Sequence, residues 1–295
     1  MIVKTLLRFE ISQIYLIIIM QILKDDQIAQ FQKIIYEFSA LNRRDFIWRD
    51  DITPYKILIS EVMLQQTQTA RVVPKFENWL EQFPDFKTLA QASNHEVLTA
   101  WQGLGYNRRG LALAKIAQIV SDKYDHELPN DPIVLETFPA IGPNTAGSIC
   151  AFAFNLPITF IETNIRTVFT DFFFKGQSDI SDKQLLPLIK ATLDHKKSRE
   201  WYYALMDYGV YLKKQLPKIN AASKHYTRQS RFEGSKRQVR GAIVKILTQS
   251  KQVEYQSLIE FLKFELPTNI HDFDAIIENL IEEKIIHNQK NILSL

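Results

Sequence analysis

The chain has 295 residues, of which 46% are hydrophobic and 23% are charged, a composition that excludes a disordered or fibrous protein. Its single cysteine, Cys150, excludes an internal disulfide, a zinc site built from cysteines alone and an iron–sulfur cluster held by four thiolates of the chain. A formal net charge of +3 is compatible with nucleic-acid binding but does not by itself indicate it.

The N-terminal segment contains an apolar run from Ile14 to Met20. This run is far shorter than the ~20 residues that cross a bilayer, and no small-residue cleavage site follows it. We therefore expect neither a membrane span nor a signal peptide, and residues 1–20 are an uninformative extension that a start at Met20 would remove. A single cysteine suits a reducing compartment, so a cytoplasmic location is expected.

Helical periodicity dominates the chain as far as residue 214, and the short connections indicate a compact all-α arrangement. Thr53 and Pro54 have the types of an N-cap and first helical residue, and Ser93 with Glu96 forms a capping box. The expected helices lie at 23–41, 54–67, 71–82, 108–124, 131–138, 144–155, 163–174, 182–194 and 198–214, and a further helix begins after Ser93. No strand alternation is recognisable before residue 284.

The composition changes after residue 212. Between 213 and 245 the many basic residues face a single acid, Glu233, whereas acids predominate from 254 to 284. Expected helices at 238–249, 254–265 and 271–284, followed by a small hairpin, predict a winged-helix-like module over 235–295. The acids of its third helix are Asp272, Asp274, Glu278, Glu282 and Glu283. Because such a face repels phosphate, we favour a packing or protein-contact role for the module.

The chain has only nine glycines, and five of them lie between residues 103 and 147, where we expect unusual torsions or close backbone approach. Within 135–147 an apolar helix, a Pro/Gly turn and a small-residue helix start follow one another. Backbone amides near Gly142, Asn144 and Thr145 would then face a DNA phosphate. The alternative is an ordinary corner between two helices.

Two stretches carry side chains that suit an everted nucleobase. Glu61 has apolar neighbours on its helix, so it is either a surface residue or a partly desolvated acid with a raised pKa. Gln65, Gln66 and Gln68 offer amides that would replace the hydrogen bonds of a base removed from its pair.

Two further stretches complete the pattern. Tyr106, Asn107 and Arg108 follow a glycine-rich turn and suit base stacking and phosphate contact, the alternative being a loop whose aromatic ring covers the core. Glu162 stands at the start of a helix and is a second candidate for a functional acid. The alternative is that Glu162 only caps the helix.

In order and spacing, these segments resemble the helix-hairpin-helix superfamily of DNA glycosylases, and most closely its adenine DNA glycosylases. The motifs are Trp48-Arg49, Thr53-Pro54-Tyr55, SEVMLQQTQ at 60–68, GLGY at 103–106, IGPNTAG at 141–147 and ALMDYG at 204–209. The resemblance covers residues 25–210. It implies two all-α subdomains, a six-helix barrel at 57–157 and a second subdomain formed by 21–56 with 158–230.

The resemblance implies a monomeric base excision repair enzyme that removes adenine opposite guanine or 8-oxoguanine from double-stranded DNA, near the nucleoid in a bacterium. Glu61 would protonate the base, and Glu162, where the family has Asp, would stabilise the oxocarbenium ion with Asn164. Asn144 replaces the Schiff-base lysine of strand-cleaving relatives, which implies a monofunctional enzyme. The implied DNA contacts are Trp48, Arg49, Gln65, Gln66, Gln68, Tyr106, Asn107, Arg108, Gly142, Asn144 and Thr145.

Two features of the family have no counterpart in the sequence. One is the Nudix-like C-terminal domain, and the other is the set of four cluster cysteines. The corresponding positions lie near Lys213, Asn220, Ser223 and Gln229. We therefore expect no iron–sulfur cluster and no catalytic metal, with the hairpin as a candidate site for a monovalent cation.

The alternatives to an adenine DNA glycosylase are a mismatch thymine or damaged-base glycosylase and a non-catalytic protein that binds DNA lesions.

Overall fold

The computed structural model describes residues 23–227, 231–266 and 272–295. The helices are α1 (Asp25–Asn42), α2 (Ile47–Asp50), α3 (Pro54–Leu64), α4 (Thr69–Gln82), α5 (Phe86–Gln91), α6 (Asn94–Trp101), α7 (Arg108–Lys123), α8 (Pro132–Leu135), α9 (Pro143–Phe154), α10 (Thr163–Phe173), α11 (Asp182–Ala191), α12 (Ser198–Gln215), α13 (Lys236–Ser250), α14 (Tyr255–Glu265) and α15 (Phe273–Glu282). A 3-10 turn (Ile219–Ala222) and strands β1 (Gln252–Glu254), β2 (His287–Gln289) and β3 (Ile292–Ser294) complete the described elements. The predicted helical class is confirmed, and the N-terminal extension lies outside the described residues.

Helix starts follow the predicted caps. The Thr53 hydroxyl accepts a hydrogen bond from the Lys56 amide at 3.2 Å, which begins α3. The capping box of Ser93 and Glu96 is present at the start of α6. Every described helix is too short or too polar to cross a membrane.

Helix ends differ from the prediction at two functional segments. The helix expected to reach Thr67 ends at Leu64, because Gln66 adopts a left-handed φ of 55° that a helix does not allow. The helix expected over 131–138 is reduced to α8, whose four residues precede the hairpin turn. The helix α5, which was not predicted, has only six residues and shows too little periodicity to be recognised.

The chain divides into two compact units, each made of two chain segments. Of the described residues, 23–50 and 142–227 form the first unit, and 51–141, 231–266 and 272–295 form the second. These boundaries differ from the predicted subdomains. The helix α9, expected in the barrel that ends at residue 157, belongs to the first unit, and the module at 235–295 belongs to the second.

The core of the first unit is built around aromatic rings. Phe31 of α1 makes edge-to-face contacts with Phe169, Phe172 and Phe173 of α10 at centroid distances of 5.4, 4.8 and 5.3 Å. It also contacts the buried ring of Trp201 of α12 at 5.7 Å. This cluster joins the N-terminal helix to two helices far along the chain, which explains why both segments form one unit.

The C-terminal module has the element order of a winged helix: one helix, a strand, two helices and a hairpin. Its sheet has the order β1-β3-β2 with both pairs antiparallel, so Ser294 lies opposite Gln252 on one side and His287 on the other. The strand β1 was not predicted, because three residues are too few to show alternation.

The module packs on the rest of the second unit. Leu98 of α6 lies in the same hydrophobic cluster as Val239, Ile243 and Leu247 of α13. The carbonyl oxygen of Thr248 lies 3.1 Å from Nε2 of His95. Four of the five acids on its third helix, namely Asp272, Asp274, Glu278 and Glu282, are exposed to solvent. The contacts with α6 agree with the packing role that the acidic composition suggested.

We expect Leu98→Ala to lower the free energy of unfolding by about 2–5 kcal/mol, because Leu98 is 1% exposed and its removal leaves a cavity between α6 and α13. Hydrogen exchange of α13 amides should become faster. Leu41→Ala is the matched control, since Leu41 is 87% exposed, and it should change stability by less than about 0.5 kcal/mol in urea unfolding. Equal losses in both variants would contradict the packing described for Leu98.

Candidate active site

The C-terminal end of α3 is held by one buried side chain, that of Arg109 on α7. Its guanidinium donates hydrogen bonds of 2.5–3.2 Å to six oxygens. The acceptors are the carbonyls of Val62, Met63, Gln65, Leu104 and Gly105 and the hydroxyl of Thr67. The last carbonyls of a helix have no partner within it, so a cation there satisfies them and interacts favourably with the helix dipole.

Arg109 therefore connects the helix that carries Glu61 to the glycine-rich turn before α7. Burial lowers the pKa of Arg109 to about 10, which still leaves the guanidinium protonated at neutral pH. The sequence motif predicted a role for Arg108 and none for Arg109. Helical spacing would have found it, because residue 109 shares a face with the buried Leu113 and Ile116.

A cavity of about 440 Å³ opens beside this end of α3. Its lining residues are Gln65, Gln66, Tyr106, Arg108, Arg109, Ala112, Pro139 and Ala140. Gln66, Tyr106 and Ala140 have positive φ angles of 55°, 48° and 62°. Residues other than glycine hold such torsions only where their surroundings enforce them, and these torsions concentrate at functional sites.

The predicted base-contacting side chains lie at or near this cavity. Gln65 donates through Nε2 to the carbonyl of Ala140 at 3.2 Å, and Gln66 and Tyr106 are exposed. Gln68 is the exposed N-cap residue of α4, and Asn107, which is partly buried, precedes α7. Three of these five side chains, those of Gln65, Gln66 and Tyr106, thus line one cavity.

Arg108 is exposed and also contacts the C-terminal module. Its Nε lies 3.6 Å from Oε2 of Glu283, and 71% of the Arg108 side chain is accessible to solvent. Arg240 of α13 is hydrogen-bonded to the same carboxylate. An exposed ion pair of this kind contributes little to stability, so it leaves Arg108 available to a phosphate.

The hairpin turn presents the N-terminus of α9 to solvent. Gly142, Pro143 and Asn144 are exposed, and Thr145 is partly buried. The left-handed residue of the turn is Ala140, whereas Gly142 has a φ of −100°, so the unusual torsion expected at this glycine lies two residues earlier. The residues of the predicted phosphate site are therefore accessible to solvent, and their contact with phosphate stays a prediction.

Asn144 links the start of α9 to the residue before Glu162. Its Oδ1 accepts a hydrogen bond from the Ile161 amide at 3.1 Å. A residue of the candidate phosphate site therefore fixes the backbone next to the candidate acid.

Glu162 is the N-cap of α10. Its Oε1 accepts hydrogen bonds from the amides of Asn164 at 2.8 Å and Ile165 at 2.9 Å. Its Oε2 accepts from Nδ2 of Asn164 at 3.1 Å, and Oδ1 of Asn164 accepts from Nζ of Lys213 at 2.7 Å. The capping interpretation is confirmed, and the same contacts hold a carboxylate in one orientation at the positive end of a helix dipole.

Glu61, the second candidate acid, lies on α3 between the buried residues Ser60 and Val62 and is itself partly buried. Glu61 lies three residues before the end of α3. The next residue, Val62, is the first whose carbonyl accepts a hydrogen bond from Arg109.

Trp48 and Arg49 lie in the interior of the first unit instead of on a DNA-binding surface. Trp48 is 4% exposed and Arg49 5% exposed. The guanidinium of Arg49 forms a two-pronged ion pair with Asp207 at 2.8 and 3.0 Å and covers the ring of Tyr203 at 4.3 Å. Because a buried carboxylate needs a cation, Arg49 pairs with Asp207 inside the protein and is not at the surface, where the sequence predicted a DNA contact.

Comparison with known proteins identifies the family. A profile of the HhH-GPD superfamily of base excision DNA repair proteins matches residues 59–190. The adenine DNA glycosylase of Mycolicibacterium smegmatis is 31% identical over 225 residues, which cover 70% of this chain and 77% of that protein. The chain belongs to the HhH-GPD superfamily. It is therefore a base excision repair DNA glycosylase.

Two further comparisons agree with this membership. An adenine DNA glycosylase of Mycobacterium tuberculosis is 28% identical over 267 residues, covering 83% of this chain and 86% of that protein. The solved structure of a thermostable thymine-DNA glycosylase matches with a TM-score of 0.56 at 23% identity, covering 63% of this chain and 87% of that chain. The latter similarity shows that the fold is shared.

The residues of this HhH-GPD protein do not fit an iron–sulfur cluster at the positions that the resemblance suggested. Lys213 contacts Asn164, and Oδ1 of Asn220 accepts from the hydroxyl of Thr167 at 2.8 Å. Ser223 accepts from the amide of His225 at 3.2 Å, and Gln229 lies outside the described residues. The described residues contain no group of three or more His, Cys, Asp or Glu side chains suited to a metal ion. Cys150 is buried within α9.

We expect Arg109→Lys to lower the free energy of unfolding by about 3–5 kcal/mol, because an ammonium has three N–H donors at one point for six oxygens that the four N–H groups of two guanidinium nitrogens now satisfy. Hydrogen exchange at residues 64–67 should accelerate. Arg108→Lys is the control, since Arg108 is exposed, and it should cost less than about 0.5 kcal/mol. Chemical denaturation measures both, and equal stability of Arg109→Lys and the unmodified protein would refute the clamp.

Proposed function

We propose that this HhH-GPD protein excises adenine mispaired with guanine or 8-oxoguanine from double-stranded DNA and leaves an abasic site. The observation that carries the proposal is the arrangement at the end of α3. There, Arg109 fixes α3, the helix that carries Glu61. Gln65 and Gln66, which directly follow α3, line a cavity together with Tyr106. The relatives named adenine DNA glycosylase support adenine as the base.

Excision of adenine requires an acid and an anion. The bond between C1′ and the base breaks with its electron pair moving to the base, which leaves readily only if a proton is supplied. The sugar then carries oxocarbenium character until water adds at C1′. The nucleotide must be flipped out of the stack to reach both groups.

Glu61 is the proposed proton donor, acting toward N7 of the adenine. A carboxyl group that is partly buried among apolar residues holds a proton more readily than one in water. The amides of Gln65 and Gln66, the exposed Gln68 and the ring of Tyr106 are the proposed contacts to bases that lose their partners on flipping.

Glu162 is the proposed anion near C1′. Two backbone amides and Asn164 hold its carboxylate, so it does not have to reorganise when the positive charge develops on the sugar. The exposed amides at Gly142, with Asn144 and Thr145, are the proposed phosphate contact, and a monovalent cation would bind at this turn.

The enzyme is proposed to be a monofunctional monomer without a metal cofactor in catalysis. Asn144 has no amine to attack C1′, and its Oδ1 is engaged by the Ile161 amide. The Arg108 side chain and the basic residues after 213 would supply further phosphate contacts.

We expect the unmodified protein to generate alkali-labile sites in duplexes with adenine opposite guanine or 8-oxoguanine, and none opposite thymine. Duplexes with thymine opposite guanine and with uracil test the other glycosylase specificities. Without alkali the strand should stay intact, as a monofunctional enzyme requires. Glu61→Gln should reduce the single-turnover rate by at least about 100-fold, because the amide cannot donate a proton of the required acidity.

Each other outcome identifies an alternative. Cleavage at thymine or uracil instead of adenine would show another base specificity, and strand breaks without alkali would show a lyase. DNA binding with no release of any base would show a lesion-binding protein. An undiminished rate in Glu61→Gln would remove Glu61 from the mechanism.

We expect Glu162→Gln to lower the single-turnover rate by about 100- to 1,000-fold while the melting temperature changes little, because the amide oxygen still caps α10 but carries no charge. Glu162→Asp keeps the charge and should retain more activity than Glu162→Gln. Wild-type rates in Glu162→Gln would limit Glu162 to helix capping.

A further inference from the structure

Lys213, at the last turn of α12, points into the first unit instead of joining the basic surface that its sequence neighbours suggested. Its side chain is partly buried, and its Nζ donates to Oδ1 of Asn164 at 2.7 Å. Asn164 in turn donates to Oε2 of Glu162 at 3.1 Å. A lysine is thus connected to the proposed catalytic carboxylate through a single amide.

The close packing of α12 against the start of α10 produces this contact. A Cβ atom placed on Gly209 would lie 2.4 Å from the backbone oxygen of Asn164 and 2.7 Å from its Cβ, so only glycine permits this approach. Lys213 follows one turn after Gly209 and lies on the same face of α12. The close approach at Gly209 therefore places Lys213 within hydrogen-bond distance of Asn164.

The ammonium determines which way the Asn164 amide faces. Lysine can only donate, so it must meet the amide oxygen, which leaves the NH₂ group directed at Glu162. With residue 213 apolar, only the Glu162 carboxylate would favour this orientation of the amide, and the support from α12 would be lost. In the reversed orientation an oxygen would face the carboxylate and repel it.

The two arginines near Lys213, Asn164 and Glu162 are each paired with a carboxylate of their own. Arg44 is paired with Asp207, and Arg166 forms two hydrogen bonds of 2.8 and 2.9 Å with Asp182. Burial lowers the pKa of Lys213, the nearby Glu162 raises it, and the two arginines lower it further. The attraction of Lys213 to Glu162 opposes this lowering of the pKa of Lys213.

We propose that Lys213 is a positioning residue that acts through Asn164 to hold the Glu162 carboxylate in its catalytic orientation. The inference rests on the proposed function of Glu162 and adds to it a third member on a different helix. Lys213 itself contacts neither base nor sugar. Its removal should therefore slow the chemical step and leave DNA affinity nearly unchanged.

The first experiment measures single-turnover base release at saturating enzyme, together with the Kd for the same duplex. Lys213→Met should lower the rate by about 10- to 100-fold, the loss typical of a residue that orients a reacting group, and change Kd less than about threefold. Lys213→Arg keeps the donor and should recover most of the rate. Lys190→Met, the same change at an exposed position of α11, is the matched control and should behave as the unmodified protein. An unchanged rate in Lys213→Met overturns the proposal, as does a purely Kd-based loss.

A double-mutant cycle tests whether Lys213 acts through Asn164. If it does, Lys213→Met should cause less than about a threefold further loss in an Asn164→Ala background. A multiplied loss would show an independent role and would overturn the relay. Melting temperatures of all variants establish that the comparison is made on folded protein.

A second readout separates this proposal from the proposed function. If the unmodified protein releases no base from any duplex, the proposed function has failed, and the contact is then tested by NMR. The side-chain amide signals of Asn164 should shift in Lys213→Met and return toward their original positions in Lys213→Arg. Signals that are identical in all three proteins would overturn the contact itself.

Discussion

Backbone groups left unpaired at helix ends hold two charged side chains of this protein, Arg109 and Glu162, in place. The last carbonyls of α3 and the first amides of α10 both need partners that their own helices do not supply. Arg109 satisfies the first set and Glu162 the second. Both side chains are thereby held in one place. The two candidate acids consequently lie on helices whose functional ends are fixed, which is the rigidity that catalysis by positioning requires.

Two residues of the motif at 204–209, Asp207 and Gly209, make contacts that hold the first unit together. Asp207 is buried and receives hydrogen bonds from Arg49 and Arg44, while Gly209 lets α12 approach Asn164. One helical segment thus ties the N-terminal part of the first unit to the start of α10. At the positions where the resemblance suggested cluster cysteines, Lys213 and Asn220 form hydrogen bonds with α10. Polar contacts hold this region to the helix that carries Glu162.

The C-terminal module shares its hydrophobic cluster with α6 and leaves most acids of its third helix in solvent. Glu283 is different, because it lies between Arg240 and Arg108. One acid of the module therefore lies beside a candidate DNA contact at the rim of the cavity. The charge of Glu283 contributes to the electrostatic field at that rim. Because salt screens exposed charges, the effect of Glu283 on DNA affinity depends on ionic strength.

The sequence by itself determined the helical class, the caps at Thr53 and Ser93, the winged-helix order of the C-terminal module and the family motifs, since these depend on local pattern and residue type. Only the tertiary structure decided which charged side chains are buried. Arg49 and Arg109 are internal, Arg108 is exposed, and Lys213 reaches Asn164. The physical reason is that adjacent charged residues look alike in a sequence, whereas their burial depends on partners more than forty residues away, and a burial without partners would be too costly to occur.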